Sequence, residues 1–240
     1  MKDLVKFEAQ YDSSHEDTAL QTRGLFLQKF SLHSLDKLTL EHYVVGHGEP
    51  TFCNLVESGT KAWANIQGAT SFKFGIYFGK TKSDPTRKYR FTEKFGTNEK
   101  DAFTAVKTAL LDLVALGAAP NPDFAEIDTN PLSQMFKAKI LSLYYSDRFL
   151  AVCSSEHLDM LGEIMGFDAN LPRSQYQNLL LRPPCISSCV NAFLYTLRHL
   201  ILYFNTNELF LIIGCLFSRF VTPTSVSKIP PNSITIRQLR

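Results

Sequence analysis

A chain of 240 residues with 45% hydrophobic content is long enough to bury one real core and too short for several large domains. Its formal net charge of +2 excludes a chain-wide electrostatic affinity for nucleic acid, so any such affinity has to be local. Five scattered cysteines (Cys53, Cys153, Cys185, Cys189 and Cys215) argue against a disulfide framework and for a reducing, cytoplasmic setting. The opening MKDLVKFEAQYDSS carries acids and has no apolar segment, so it does not read as a signal peptide.

Residues 1–20 are polar and turn-rich and read as a weakly ordered lead-in. Leu25, Phe26, Phe30, Leu32, Leu35 and Leu38 recur at mixed helical spacing, which predicts one or two short helices. Leu38 to Tyr43 opens another helical turn, Gly46 to Pro50 is a loop, and Thr51 to Gly59 reads as helix. Asn98 is a good N-cap, with Glu99 and Asp101 in the first turn near the positive end of the helix dipole. Phe103, Val106, Leu110, Leu113 and Val114 form one apolar stripe after it, and Gly117 is expected to end that helix. Phe124 to Ile127 is a short turn or helix. Asn130 and Pro131 read as the cap and first residue of the next helix, which continues through Met135, Phe136, Ile140 and Leu143. Phe149 to Cys153 is expected as a buried strand, and Ser154 or Ser155 as the cap of a helix closed by Gly166.

The character changes near residue 178. From Pro183 to Arg240 there is one acidic residue, Glu208, against five basic ones, and amphipathic patterning is lost. We read 21–178 as a folded module and 179–240 as an atypical apolar tail, with the signature of a shifted frame or joined sequence. Its longest charge-free stretch, Leu209–Phe217, falls well short of the roughly 20 residues needed to span a bilayer, so no membrane partner is expected.

Charge and aromatics concentrate together between Thr70 and Asn98. Phe72, Phe74, Ile76 and Phe78 alternate with Ser71, Lys73, Gly75 and Tyr77, Ser83 to Thr86 is turn chemistry, and Tyr89 and Phe91 resume the alternation. The pattern predicts a β-hairpin over about 71–95, and with the flanking helices an α+β fold in which a short antiparallel sheet packs against them. From Lys73 to Lys100 there are eight basic and three acidic residues, so the excess of positive charge that the whole chain lacks is local. Two readings remain open. Lysines can decorate a solvated strand face while the aromatics build the core. Alternatively Lys73, Lys80, Lys82, Arg87, Lys88, Arg90 and Lys94 neutralise phosphates while an outward aromatic helps hold a base.

Other chemistry is poorly supported. Gly75 to Thr81 is one residue short of a phosphate loop and lies inside the alternating run rather than between strand and helix. No Asp/Glu-x-Lys follows Pro122-Asp123, the six histidines form no metal-binding pattern, and there is no Gly-x-Ser-x-Gly elbow. Neither a catalytic residue nor a cofactor or metal is expected, and isolated Cys53 and Cys153 read as core.

Several phrases in order across roughly residues 22–170 carry a resemblance. They are Leu38 to Val44 with Gly46 and Gly48, Thr51-Phe52-Cys53 with Val56-Glu57, and Phe72 to Lys80. Asp101-Ala102-Phe103, Asn130 to Ser133, Met135 to Leu141, and Glu156-His157-Leu158 follow. Together they resemble the N-terminal module of McrB-like AAA+ subunits of modification-dependent (5-methylcytosine-type) restriction systems. The resemblance implies a module that helps a nucleoside-triphosphate-driven translocase engage DNA. The sequence departs from that family in having neither a Walker A motif nor a following motor domain, so the chain reads as a truncated or stand-alone homologue. No family residue is carried over, and the basic candidates rest on charge alone. The expected function is a non-catalytic module that recognises double-stranded DNA in phage defence. Modified cytosine is the feature to test, and an AAA+ motor or nuclease subunit is the expected partner. The alternative is a protein-interaction scaffold that docks such a partner.

Overall fold

A computed structural model of the chain describes residues 14–48, 50–68 and 70–181. Of the expected tail, 179–240, residues 182 onward lie outside the described residues, as do the proposed frame shift's consequences and residues 1–13. The first helix among the described residues, α1, covers Ser14–Lys29 and buries Ala19 and Phe26 against the core. The expected lead-in is therefore helical from Ser14 onward. A 3-10 turn at Leu32–Lys37 and a short helix α2, Leu40–Tyr43, follow, the latter capped by Thr39. The helical reading of 51–59 resolves into α3, Phe52–Asn54, running directly into a π-turn at Leu55–Gly59.

Strands β1, Ile76–Gly79, and β2, Lys88–Phe91, pair antiparallel, with Ile76 opposite Phe91 and Gly79 opposite Lys88. Helix α4, Glu99–Ala118, packs across this hairpin and buries Val106, Leu110 and Leu113, as the apolar stripe requires. Asn98 caps it, accepting from the Asp101 amide at 2.9 Å. Helices α5, Phe124–Thr129, α6, Gln134–Tyr144, α7, Ser155–Ile164, and α8, Arg173–Leu179, complete the α+β architecture. The core centre is aromatic: Phe52 lies 5.6 Å from Phe26, 5.2 Å from Phe30 and 5.7 Å from Tyr43, ring centre to ring centre.

Three local expectations are corrected. Helix α6 starts at Gln134 with Ser133 as its cap, not at Asn130 and Pro131. Asn130 instead ends α5, donates to the Ala109 carbonyl at 2.8 Å and accepts from the Leu132 amide. Gly117 does not terminate α4. It lies within the helix against α6 and the residue after it, where a Cβ would meet Leu141 at 2.6 Å and Tyr145 at 2.9 Å. Phe149 to Cys153 is buried but forms no strand. Its backbone pairs with α8, where the Leu150 amide donates to the Gln177 carbonyl at 3.1 Å and the Gln177 amide donates to the carbonyls of Leu150 and Val152. A side-chain amide has taken the place of a neighbouring strand.

Helix α6 is buried at every position from Phe136 to Leu143, including Lys137 and Lys139. Both ammonium groups end on backbone carbonyls. Lys139 donates to Thr60 at 2.6 Å and Ala64 at 2.5 Å, and Lys137 to Ile127, Asp128 and Asn130 at 2.5–3.2 Å. They add donors to carbonyls where short helices and turns end, two of which, those of Thr60 and Ile127, also accept from backbone amides. Burial pulls the Lys139 ammonium down to about 7, against a smaller opposing effect of Cys153.

Candidate nucleic-acid interface

The hairpin is narrower than its alternating pattern predicts. Ser71–Phe74 is a 3-10 turn, and Gly75 follows at φ +80°, a left-handed conformation that does not continue a strand. A Cβ on Gly75 would also sit 2.5 Å from Val106. The turn resets the alternation, so Phe72 is 40% exposed and Lys73 is buried. Lys73 is thereby removed from the candidate surface. Its ammonium bonds to the Glu57 carboxylate and donates to the Ile66 carbonyl at 2.9 Å, and its own carbonyl accepts from Ser133 Oγ. It ties the π-turn, the hairpin base and the start of α6 together.

The other edge of β1 is sealed by the loop at 45–46. The Phe78 amide donates to the Val45 carbonyl at 3.0 Å. Gly46, at φ +109°, passes so close that a Cβ would lie 1.9 Å from the Phe78 carbonyl oxygen. Only glycine fits that approach. The loop carries His47 onto the hairpin, where its ring lies 4.4 Å from Phe78 and its Nε2 is 3.0 Å from the Tyr89 hydroxyl. Arg87 covers Phe78 from 5.4 Å and donates to the Gly46 carbonyl. By sequence this stretch reads as a loop, and nothing in its local pattern links His47 to a tyrosine 42 positions later.

Five of the seven candidate cations meet at the turn end of the hairpin: Lys80, Lys82, Arg87, Lys88 and Arg90. Lys80 and Lys82 are exposed, with no hydrogen bond to another described residue. The connection between the strands is itself ordered by hydrogen bonds, from the Thr81 amide to the Asp84 carbonyl at 2.9 Å and from the Asp84 amide to Thr81 Oγ1 at 3.1 Å. Arg90 is only 13% exposed and donates to the carbonyls of Gly79, Asp84 and Thr86 at 3.0–3.1 Å. Lys88 and Arg90 both reach the Asp84 carboxylate at 2.9 Å. Lys88, the Thr86 amide and Arg90, in that order of influence, hold this carboxyl well below the usual carboxylate range. Lys94 stands apart beyond β2, over the Phe95 ring and 2.6 Å from the Pro131 carbonyl.

The aromatics divide by depth. Phe74, Tyr77 and Phe95 are buried, while Phe78, Tyr89 and Phe91 are half-buried, the first two beneath His47 and Arg87. Cys53 and Cys153 are buried free thiols, as expected of core residues. Among the described residues no grouping of His, Cys, Asp and Glu is arranged to hold a metal ion, and no helix is long and apolar enough to cross a membrane. Comparison of the chain with protein-family models, with curated proteins and with solved structures finds no match.

Proposed function

We propose that this protein is a non-catalytic, cytoplasmic module that engages double-stranded DNA through the turn end of its hairpin, in a modification-dependent restriction system. The observation that carries the reading is the run of Lys80, Lys82, Arg87, Lys88 and Arg90 along one short connection and its strand, on a turn ordered by its own hydrogen bonds, where Lys88 and Arg90 share the Asp84 carboxylate. A compact group of cations on an ordered scaffold is what phosphate contact requires, since each neutralised phosphate releases counterions and makes binding salt-dependent. The resemblance to the N-terminal module of McrB-like proteins supplies the restriction context and the AAA+ motor or nuclease subunit as partner.

Fluorescence anisotropy with short duplexes, methylated and unmethylated at cytosine and at two salt concentrations, tests it. Binding is expected to weaken steeply with salt and to favour the modified duplex. Salt-sensitive binding without preference would reduce the role to a backbone grip. Absence of binding at low salt would sink the DNA reading and leave the docking of a partner protein as the better account, since an apolar docking surface is insensitive to salt.

A further inference from the structure

The Asp84 carboxylate is surrounded as a bound oxyanion is surrounded. A guanidinium (Arg90), an ammonium (Lys88) and a backbone amide (Thr86) reach it from three directions at 2.9–3.0 Å. The donors differ in mobility. Arg90 is fixed by three carbonyls, whereas the Lys88 side chain is 58% exposed and free to swing. The anion they share belongs to the protein itself and sits on the turn, 31% exposed.

Resting on the DNA reading above, we propose that the hairpin turn is a phosphate site whose resting occupant is the Asp84 carboxylate, so that a nucleic-acid phosphate binds by displacing it from Lys88 and Arg90. A phosphodiester offers two unesterified oxygens where the carboxylate offers two, and guanidinium and ammonium donors accept either. Exchange is feasible because the Lys88 pair is exposed and therefore weak, and because the entering anion can accept from Lys88 and Arg90 in place of the departing carboxylate. Lys80, Lys82 and Arg87 border the same turn and add attraction that Asp84 does not neutralise. Until it is displaced, Asp84 lowers the affinity of the site for any polyanion.

The test compares the wild-type chain with Asp84→Asn, which retains the acceptor for the Thr86 amide and so keeps the turn while removing the charge. The ligands are a short DNA duplex, followed by anisotropy, and inorganic polyphosphate, followed by calorimetry. Asp84→Asn is expected to bind both three- to tenfold more tightly and with a steeper salt dependence, each freed phosphate contact adding about 0.9 to the slope. Adding Lys88→Gln is expected to abolish the gain. A gain with polyphosphate but no duplex binding would support the displaced-carboxylate site and count against DNA as its ligand. Equal or weaker binding of both ligands by folded Asp84→Asn would overturn the inference. A second readout needs no substitution. In the wild-type chain, saturating polyphosphate should return the Asp84 carboxyl to ordinary acidity in a carbon-13 titration, and an unchanged titration would equally overturn the inference.

Discussion

Two groups of cations in this molecule face opposite situations. At the hairpin turn, Lys88 and Arg90 share a partly exposed carboxylate and lie near the exposed Lys80 and Lys82. In α6, Lys137 and Lys139 are buried and end on backbone carbonyls. The first arrangement is exchangeable, because one anion in water can be replaced by another. The second is not, because a buried ammonium has no rival anion beside it, and a carbonyl such as that of Ala64 loses its lysine donor if the side chain leaves. The position of a lysine in the sequence does not tell which it is: Lys73 lies in the most basic stretch of the chain and belongs to the interior group, bound to Glu57.

The sharpest way to break the comparison is to truncate an interior lysine. Lys139→Ala leaves a void and takes from the Ala64 carbonyl its lysine donor, and is expected to cost about 3 kcal/mol in urea denaturation at neutral pH. A loss below about 1 kcal/mol would place Lys139 energetically with the surface cations. Gly46→Ala should follow at about 2–4 kcal/mol, from a left-handed backbone angle and a Cβ driven into the Phe78 carbonyl. It should also release His47 from Tyr89, visible in the tyrosine hydroxyl and imidazole resonances.

A pH series sharpens the same contrast at about 1–2 kcal/mol. The Lys139 ammonium falls from 10.5 to about 7 in the fold, so between these values the unfolded chain holds a proton that the native state lacks. Stability should therefore rise with pH from about 6.5 to 8.5, and Lys139→Met should flatten that rise. Above pH 9 the Cys153 thiol, pushed up to about 12 mainly by burial, acts in the opposite direction, so the comparison belongs below that point. Asn98→Ala should remove about 1 kcal/mol from α4 through loss of its cap. Smallest in stability, Lys80→Glu with Lys82→Glu should change the denaturation midpoint by less than about 0.5 kcal/mol. The same pair should weaken duplex binding by about tenfold at low salt. A large stability loss with unchanged binding would invert the assignment of these lysines.

Local chemistry was legible where the partners are close in the chain. The Asn98 cap satisfies an amide three residues on, and the stripe Val106, Leu110, Leu113 repeats at the helical period, so both stood in the sequence before any tertiary contact. The basic turn was legible for the same reason, since Lys80 to Arg90 are brought together by one tight connection. The register of Phe72 and Lys73 was not. The alternation looked continuous, but Gly75 takes a left-handed angle under contact from Val106 and Phe95, which belong to later elements. Asn130 before Pro131 reads as the cap of α6, but its side chain is bound to Ala109 and Leu132, and the capping bond comes from Ser133 instead.

By itself, then, the sequence determined the main helices, the existence of the hairpin and the concentration of positive charge at its turn, because these depend on spacing along a few residues. Only the tertiary structure decided which cations are accessible. Burial and ion pairing depend on partners such as Glu57 for Lys73, or Thr60 and Ala64 for Lys139, and a lysine carries no mark of whether its ammonium will meet water, a carboxylate or a carbonyl. The placement of His47 beside Tyr89 was decided in the same way, by a glycine loop that only the assembled sheet edge brings into contact.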